Sequence, residues 1–190
     1  MLIYLHGFNS SPGSHKAQLL KRHMEQHAMG DRYFCPALPL PGKLAVATVE
    51  AAIARHPRGS VTLVGSSLGG FYATYLAERH DLRAVLINPA VHPHADLRAY
   101  LGLQRNLHTQ EPYELTEEHL RQWETLYLPA VQPQRYLLLV ETGDEVLDYR
   151  VAVEKYRGAR QLVVTGGDHS FASFAAHIPL ILEFAGLATV

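Results

Sequence analysis

The chain has 190 residues, 47% of them hydrophobic, and a formal net charge of -1. That is long enough for one domain with a sizeable core, and so balanced a charge leaves no field for nucleic acid or an anionic membrane surface. A single cysteine, Cys35, rules out an internal disulfide and a Cys-x-x-Cys metal framework.

The chain opens on Met1-Leu2-Ile3-Tyr4-Leu5, an apolar run that reaches His6-Gly7 too soon for a secretory signal and lacks a basic lead. Leu2 to Leu5 reads as a first strand. His15 to His27 follows with Leu19, Leu20, His23, Met24 and His27 at helical spacing. A second strand is expected over Arg32 to Ala37, stopped by Pro36, Pro39 and Pro41, with Cys35 in it as a small buried hydrophobe. Leu44 to Ile53 is Ala-rich and helical.

Val61 to Val64 is the third strand, and it runs into Gly65-Ser66-Ser67-Leu68-Gly69. A stripe of Leu68, Phe71, Tyr72, Tyr75 and Leu76 then marks a helix. Gly-x-Ser-x-Gly by itself arises by chance in roughly one chain in fifteen of this length. Its setting between a strand and a helix is what makes it a nucleophile elbow, with Ser67 held on a tight turn. Gly65 and Gly69 let the strand and helix backbones close on one another.

Ala84 to Ile87 is the fourth strand. Val91 to Gln134 then breaks the rhythm, with two short helical pieces, no strand, and a Thr-Glu-Glu helix start at Thr116. An insertion of this length is expected to act as a lid or cap. Arg135 to Val140 and Gln161 to Val164 are the last strands. Tyr149 to Tyr156 and Phe171 to Phe184 are the last helices, the latter bent at Pro179. Near-continuous apolar strands alternating with helices predict a three-layer α/β domain, 1–190, with a parallel sheet of about six strands and a helical cap over about 91–134.

A serine needs a base. In this architecture the base follows the last strand, where Thr165-Gly166-Gly167-Asp168-His169-Ser170-Phe171 stands, so His169 is expected in that role. The carboxylate that orients it follows the penultimate strand. Asp144, beside Gly143, fits best. Asp148, placed to start or cap the next helix, is its rival, and Glu141, Glu145 and Asp168 are weaker ones. The order Ser67, Asp144, His169 is the chain order of α/β-hydrolases. The oxyanion would be met by the backbone amides of Leu68 and Phe8. His6 is a rival base by residue type, but its place in the turn that shapes the Phe8 loop favours an orienting or structural role. His6 and Asn88 beside the site, with Trp123 and Tyr127 in the insertion, are candidate substrate contacts. His23 with His27, and His92 with His94, lack a third ligand at a recognisable spacing, so no metal is expected.

Five segments in order carry a resemblance: Tyr4-Leu5-His6-Gly7-Phe8-Asn9-Ser10-Ser11-Pro12, Gly65 to Gly70, Asn88-Pro89-Ala90-Val91, Thr142 to Tyr149, and Gly166-Gly167-Asp168-His169. Together they resemble the small bacterial esterases of the YqiA type, within the α/β-hydrolase superfamily. The resemblance implies hydrolysis of short-chain esters, with acyl-CoA thioesters as a further substrate class, and Ser67 as nucleophile, Asp144 as acid and His169 as base; the lack of a targeting signal makes a cytoplasmic protein the expectation, and no cofactor is expected. The match is poorest from Leu103 to Gln134. Other triad chemistry (acyl transfer, peptide or carbon–carbon hydrolysis) and a non-catalytic protein on the same fold are the alternatives. The expected partner is a small ester or thioester; oligomeric state is not readable.

Overall fold

In the computed structural model, which describes residues 1–187, six strands form one sheet: β1 (Leu2–Leu5), β2 (Tyr33–Phe34), β3 (Thr62–Ser66), β4 (Arg83–Ile87), β7 (Tyr136–Glu141) and β8 (Arg160–Val164). Their order is β2-β1-β3-β4-β7-β8 and every pairing is parallel. Alternate residues of each strand face opposite layers. Ile3, Leu5, Leu63, Leu86 and Leu138 pack against α2 (Gly42–Ile53), α3 (Leu68–His80) and α6 (Tyr149–Lys155). Leu2, Tyr4, Val64, Val85 and Leu139 pack against α1 (His15–Gln26) and α7 (Phe174–Phe184). Both faces of the sheet's centre are therefore covered, which is why β1, β3, β4 and β7 read as near-continuous apolar runs.

The chain leaves β1 toward β2, then crosses back to β3 on the other side of β1. α1 and α3, the helices after these neighbouring strands, lie on opposite faces. Such a reversal opens a crevice at the carboxyl ends of the two strands. The Phe8 loop and the Ser67 turn both stand at that crevice.

Three expectations change. The second strand pairs only over Tyr33–Phe34, because Pro36 cannot donate to the ladder, and Cys35 is half-buried. The last helix begins at Phe174, since Phe171 turns in a left-handed conformation with φ 59°. The stretch 91–134 is not strandless: β5 (Gly102–Arg105) and β6 (Pro112–Leu115) form an antiparallel hairpin. A short α4 (Pro93–Asp96) precedes the hairpin and α5 (Glu117–Leu126) follows it. α5 starts with a reciprocal capping box between Thr116 and His119. Among the described residues no helix is long and apolar enough to cross a membrane.

Candidate active site

Ser67 stands between the third strand and α3, as the N-cap of that helix, at φ 54°, ψ -122°, a conformation rarely adopted by a residue with a side chain. Such a strained position costs of order 1–3 kcal/mol and persists only where its surroundings enforce it. Here the Ser67 amide donates to the Ile87 carbonyl at 3.0 Å, while its own carbonyl accepts from Gly70 and Ala90 at 2.9 and 3.1 Å. A Cβ on Gly69 would lie 1.9 Å from the Leu5 carbonyl oxygen, and one on Gly65 2.3 Å from that of Gly69. The turn closes only because both are glycine.

His169 Nε2 stands 3.1 Å from Ser67 Oγ. Its Nδ1 lies 2.8 and 3.0 Å from the two carboxylate oxygens of Asp144. With Nδ1–H donating to Asp144, Nε2 carries the lone pair that accepts the serine proton. The Asp144 side chain is 1% exposed. Burial pushes its pKa up, but hydrogen bonds from His169 and from the Leu147 and Val146 amides outweigh that and hold the carboxyl below its ordinary value. Asp148 is placed differently: it caps α6, accepting from the Arg150 amide at 3.0 Å.

The loop that carries His169 is anchored from behind. The buried Glu141 carboxylate accepts the amides of Asp168, Ala172 and Ser173 at 3.0, 2.9 and 3.0 Å, together with the Ser173 hydroxyl. Asn88, also buried, donates to the carbonyls of Asp168 and His169 at 3.0 and 3.3 Å and accepts the Glu141 amide at 3.0 Å. The Asn88 side chain thus ties the end of β7 to the base's loop, and its bonds go to backbone rather than to a ligand. Lys16, at the start of α1, donates to the Ser170 carbonyl at 2.6 Å. Burial brings its pKa down to about 8 against the pull of Asp168, Glu141 and Asp144. Nothing in the sequence spacing marks Lys16 as a neighbour of the base.

The Phe8 and Leu68 amides, among the described residues, donate to no other group. His6 Nδ1–H donates to the Gly7 carbonyl at 3.1 Å and Nε2 accepts the Leu38 amide at 3.0 Å. Burial lowers its pKa, consistent with a neutral ring fixed in one tautomer. His6 thereby ties the Phe8 loop to the segment after β2.

Two cavities flank the Phe8 loop. A cleft of about 380 Å³ contains Ser67, His169, Lys16, His15 and His108. A larger one of about 510 Å³ is lined by Leu38, Leu40, Leu68, Tyr72, Pro112 and Tyr113. The hairpin tip roofs both, through Leu107 and His108 on one side and Asn106 and Glu111 on the other. The helical part of the insertion does not. Trp123 is fully buried, donating from Nε1 to the Tyr72 hydroxyl at 2.6 Å beneath Phe8. Tyr127 faces a separate groove, with the Lys155 ammonium 4.5 Å from its ring centre and His92 beside it. Neither reaches the cavities beside Ser67. Among the described residues no three His, Cys, Asp or Glu side chains gather as a metal ion would require.

The model of an uncharacterised protein family, UPF0227, matches residues 1–186. Similar curated proteins include the UPF0227 protein of Serratia proteamaculans strain 568, 25% identical over 98% of this chain and 99% of the relative. Another, from Shewanella sp. strain ANA-3, is 23% identical over 97% and 98%. Among solved structures, a putative hydrolase from Agrobacterium vitis S4 aligns with a TM-score of 0.75 at 16% identity, over 97% of this chain and 87% of the other. The mouse alpha/beta hydrolase domain-containing protein 10 gives 0.75 at 15%, over 97% and 89%. Est1E from Butyrivibrio proteoclasticus, solved with ferulic acid bound, gives 0.70 at 13%, over 97% and 85%. At these identities the structural likeness establishes the α/β-hydrolase fold.

Proposed function

We propose that this chain, which belongs to the UPF0227 (YqiA-type) family, is a serine esterase that hydrolyses short-chain carboxylic esters through an acyl-enzyme. It works as one domain, in which the β5–β6 hairpin of the 91–134 insertion, and not its helices, roofs the site. The observation that carries the reading is the unbroken hydrogen-bonded chain from Ser67 Oγ through His169 to Asp144, set on a strained elbow. Ser67 Oγ attacks the acyl carbon as its proton passes to His169 Nε2. The carbonyl oxygen, now negative, is met by the Phe8 and Leu68 amides. Collapse of the adduct expels the alcohol, which takes the proton from His169. A water then repeats the sequence on the acyl-enzyme and frees Ser67 and the acid.

The leaving oxygen has to lie within reach of His169 Nε2, so the alcohol occupies the cleft on that side. The acyl chain runs the other way, past Leu68 into the cavity of about 510 Å³ with its Leu38, Leu40 and Tyr72 walls. That cavity favours an apolar acyl group.

The test is a panel of p-nitrophenyl esters from acetate to dodecanoate, run beside acyl-CoA thioesters and a peptide amide. Turnover of the esters, with no cleavage of the peptide, is the expected result. Thioester turnover above ester turnover would reassign the enzyme as a thioesterase, and an inert protein would sink the reading. Leu40→Trp narrows the acyl cavity and is expected to lower kcat/KM for octanoate about 10-fold while acetate stays within about 2-fold. Equal losses on both esters place the acyl chain elsewhere.

A further inference from the structure

We propose that Asn9 is a positioning residue: it braces the Phe8 loop against the β5–β6 hairpin, and this brace aims the Phe8 amide at the oxyanion. The inference rests on the esterase reading above. Gly7 passes so close to the nucleophile that a Cβ there would lie 3.2 Å from Ser67 Cβ. The next amide, that of Phe8, is free to donate, and its direction depends on what holds the loop on its far side. That hold is Asn9. It sits at φ 53°, a conformation asparagine tolerates better than most residues.

Three groups of Asn9 are engaged by the hairpin. Its carbonyl accepts the Leu107 amide at 3.0 Å, its Oδ1 accepts the Tyr113 hydroxyl, and its Nδ2 donates to Gln104 Oε1 at 3.4 Å. Ser10 adds a fourth bond, its carbonyl accepting from Asn106 Nδ2 at 2.9 Å. The Phe8 ring is wedged edge-on against Tyr100, Tyr113 and Trp123 at 6.1, 6.3 and 6.5 Å between ring centres. A two-stranded hairpin has little stability of its own, so the anchoring works in both directions. The hairpin is fixed by the loop, and the loop is fixed in the one orientation that leaves the Phe8 amide unspent beside Ser67. Loss of an oxyanion donor costs about 10²–10³ in rate, and a misplacement of about 1 Å about 10².

Asn9→Gly keeps the backbone conformation accessible and removes both side-chain bonds. Its kcat on a p-nitrophenyl ester is expected to fall about 10- to 100-fold with KM within about 2-fold. The affinity of an aryl trifluoromethyl ketone, which forms a tetrahedral adduct with the serine, should fall in step with kcat/KM. Tyr113→Phe, which loses one of the bonds, is expected to lose about 3- to 10-fold. Asn9→Asp still accepts from Tyr113 and should recover most of the loss. Wild-type protein that neither cleaves the ester nor binds the ketone overturns this proposal and the esterase reading together. Wild-type protein that does both, beside an Asn9→Gly variant with unchanged kcat, overturns the brace alone. So does a loss of kcat without loss of ketone affinity, or an Asn9→Asp variant no better than Asn9→Gly.

Discussion

Ser67→Ala is expected to abolish covalent labelling by a fluorophosphonate probe and to lower kcat for a p-nitrophenyl ester by about 10⁴-fold or more. The size of the effect follows from what the alanine removes. Ser67 Oγ is the atom 3.1 Å from His169 Nε2, and no other hydroxyl is in hydrogen-bonding contact with that nitrogen among the described residues. Ser66, the adjacent serine, belongs to the third strand and is buried, so it offers no substitute. What survives is substrate binding and the two loop amides, which give a small residual rate. His169→Ala is expected to match Ser67→Ala in rate, because members of a triad act as a unit. Asp144→Asn should cost about 10³-fold, since an amide in place of the carboxylate no longer fixes the His169 tautomer or stabilises its cation. Asp148→Asn is the control. Its carboxylate caps a helix and pairs with Arg150, so kcat is expected to stay within about 2-fold. Labelling that persists in Ser67→Ala, or a silent Asp144→Asn beside a damaged Asp148→Asn, would falsify the assignment of roles.

The parts of this site that were legible in the sequence are those whose backbone demands are severe. A β-branched run ending in Gly65-Ser66-Ser67-Leu68-Gly69 has few ways to fold, because the 1.9 Å approach to Leu5 excludes any side chain at position 69. The central strands β1, β3, β4 and β7 were legible for a related reason: buried on both faces, they have apolar interiors. The hairpin was not. Leu103 and Leu107 are 86% and 72% exposed, so its apolar residues report no buried face. It also lacks the two-residue Asn-Gly or Asp-Gly turn that signals a hairpin locally. Trp123 and Tyr127 show a different limit. Composition places aromatics in the insertion, but only helix phase says where they point. Leu120, Trp123 and Leu126 form the inward stripe of α5, which commits Trp123 to the core with Tyr72. Asn88 was visible as part of a motif and not as a spacer for the base, because its side-chain partners lie 53, 80 and 81 residues downstream.

Glu141→Gln is expected to destabilise the fold by about 3 kcal/mol near neutral pH and to lower kcat with it. A glutamate at the end of the seventh strand reads as a candidate acid, yet its role is to hold the base's loop. The residue is 1% exposed, and its carboxylate accepts four hydrogen bonds from residues 168–173. An amide nitrogen in place of one oxygen turns an acceptor into a donor facing backbone N–H groups that, among the described residues, have no other partner. The loop must then shift or leave those groups unsatisfied, and either outcome moves His169 away from Ser67. The pH dependence gives a second, independent reading. Burial opposes ionisation of Glu141, but the bonds from the Ser173 hydroxyl and the Asp168, Ser173 and Ala172 amides prevail, so its folded pKa lies below the ordinary glutamate value of about 4.3. A carboxyl with a depressed folded pKa contributes stability that is fully present above the unfolded pKa and is lost as pH falls through the folded one. The stability gap between wild type and Glu141→Gln should therefore be constant from about pH 8 down to about pH 5 and narrow below that. Chemical denaturation of both proteins across that range measures it. A gap that is constant to pH 3, or one that widens in acid, means that the carboxylate charge is not what secures the loop.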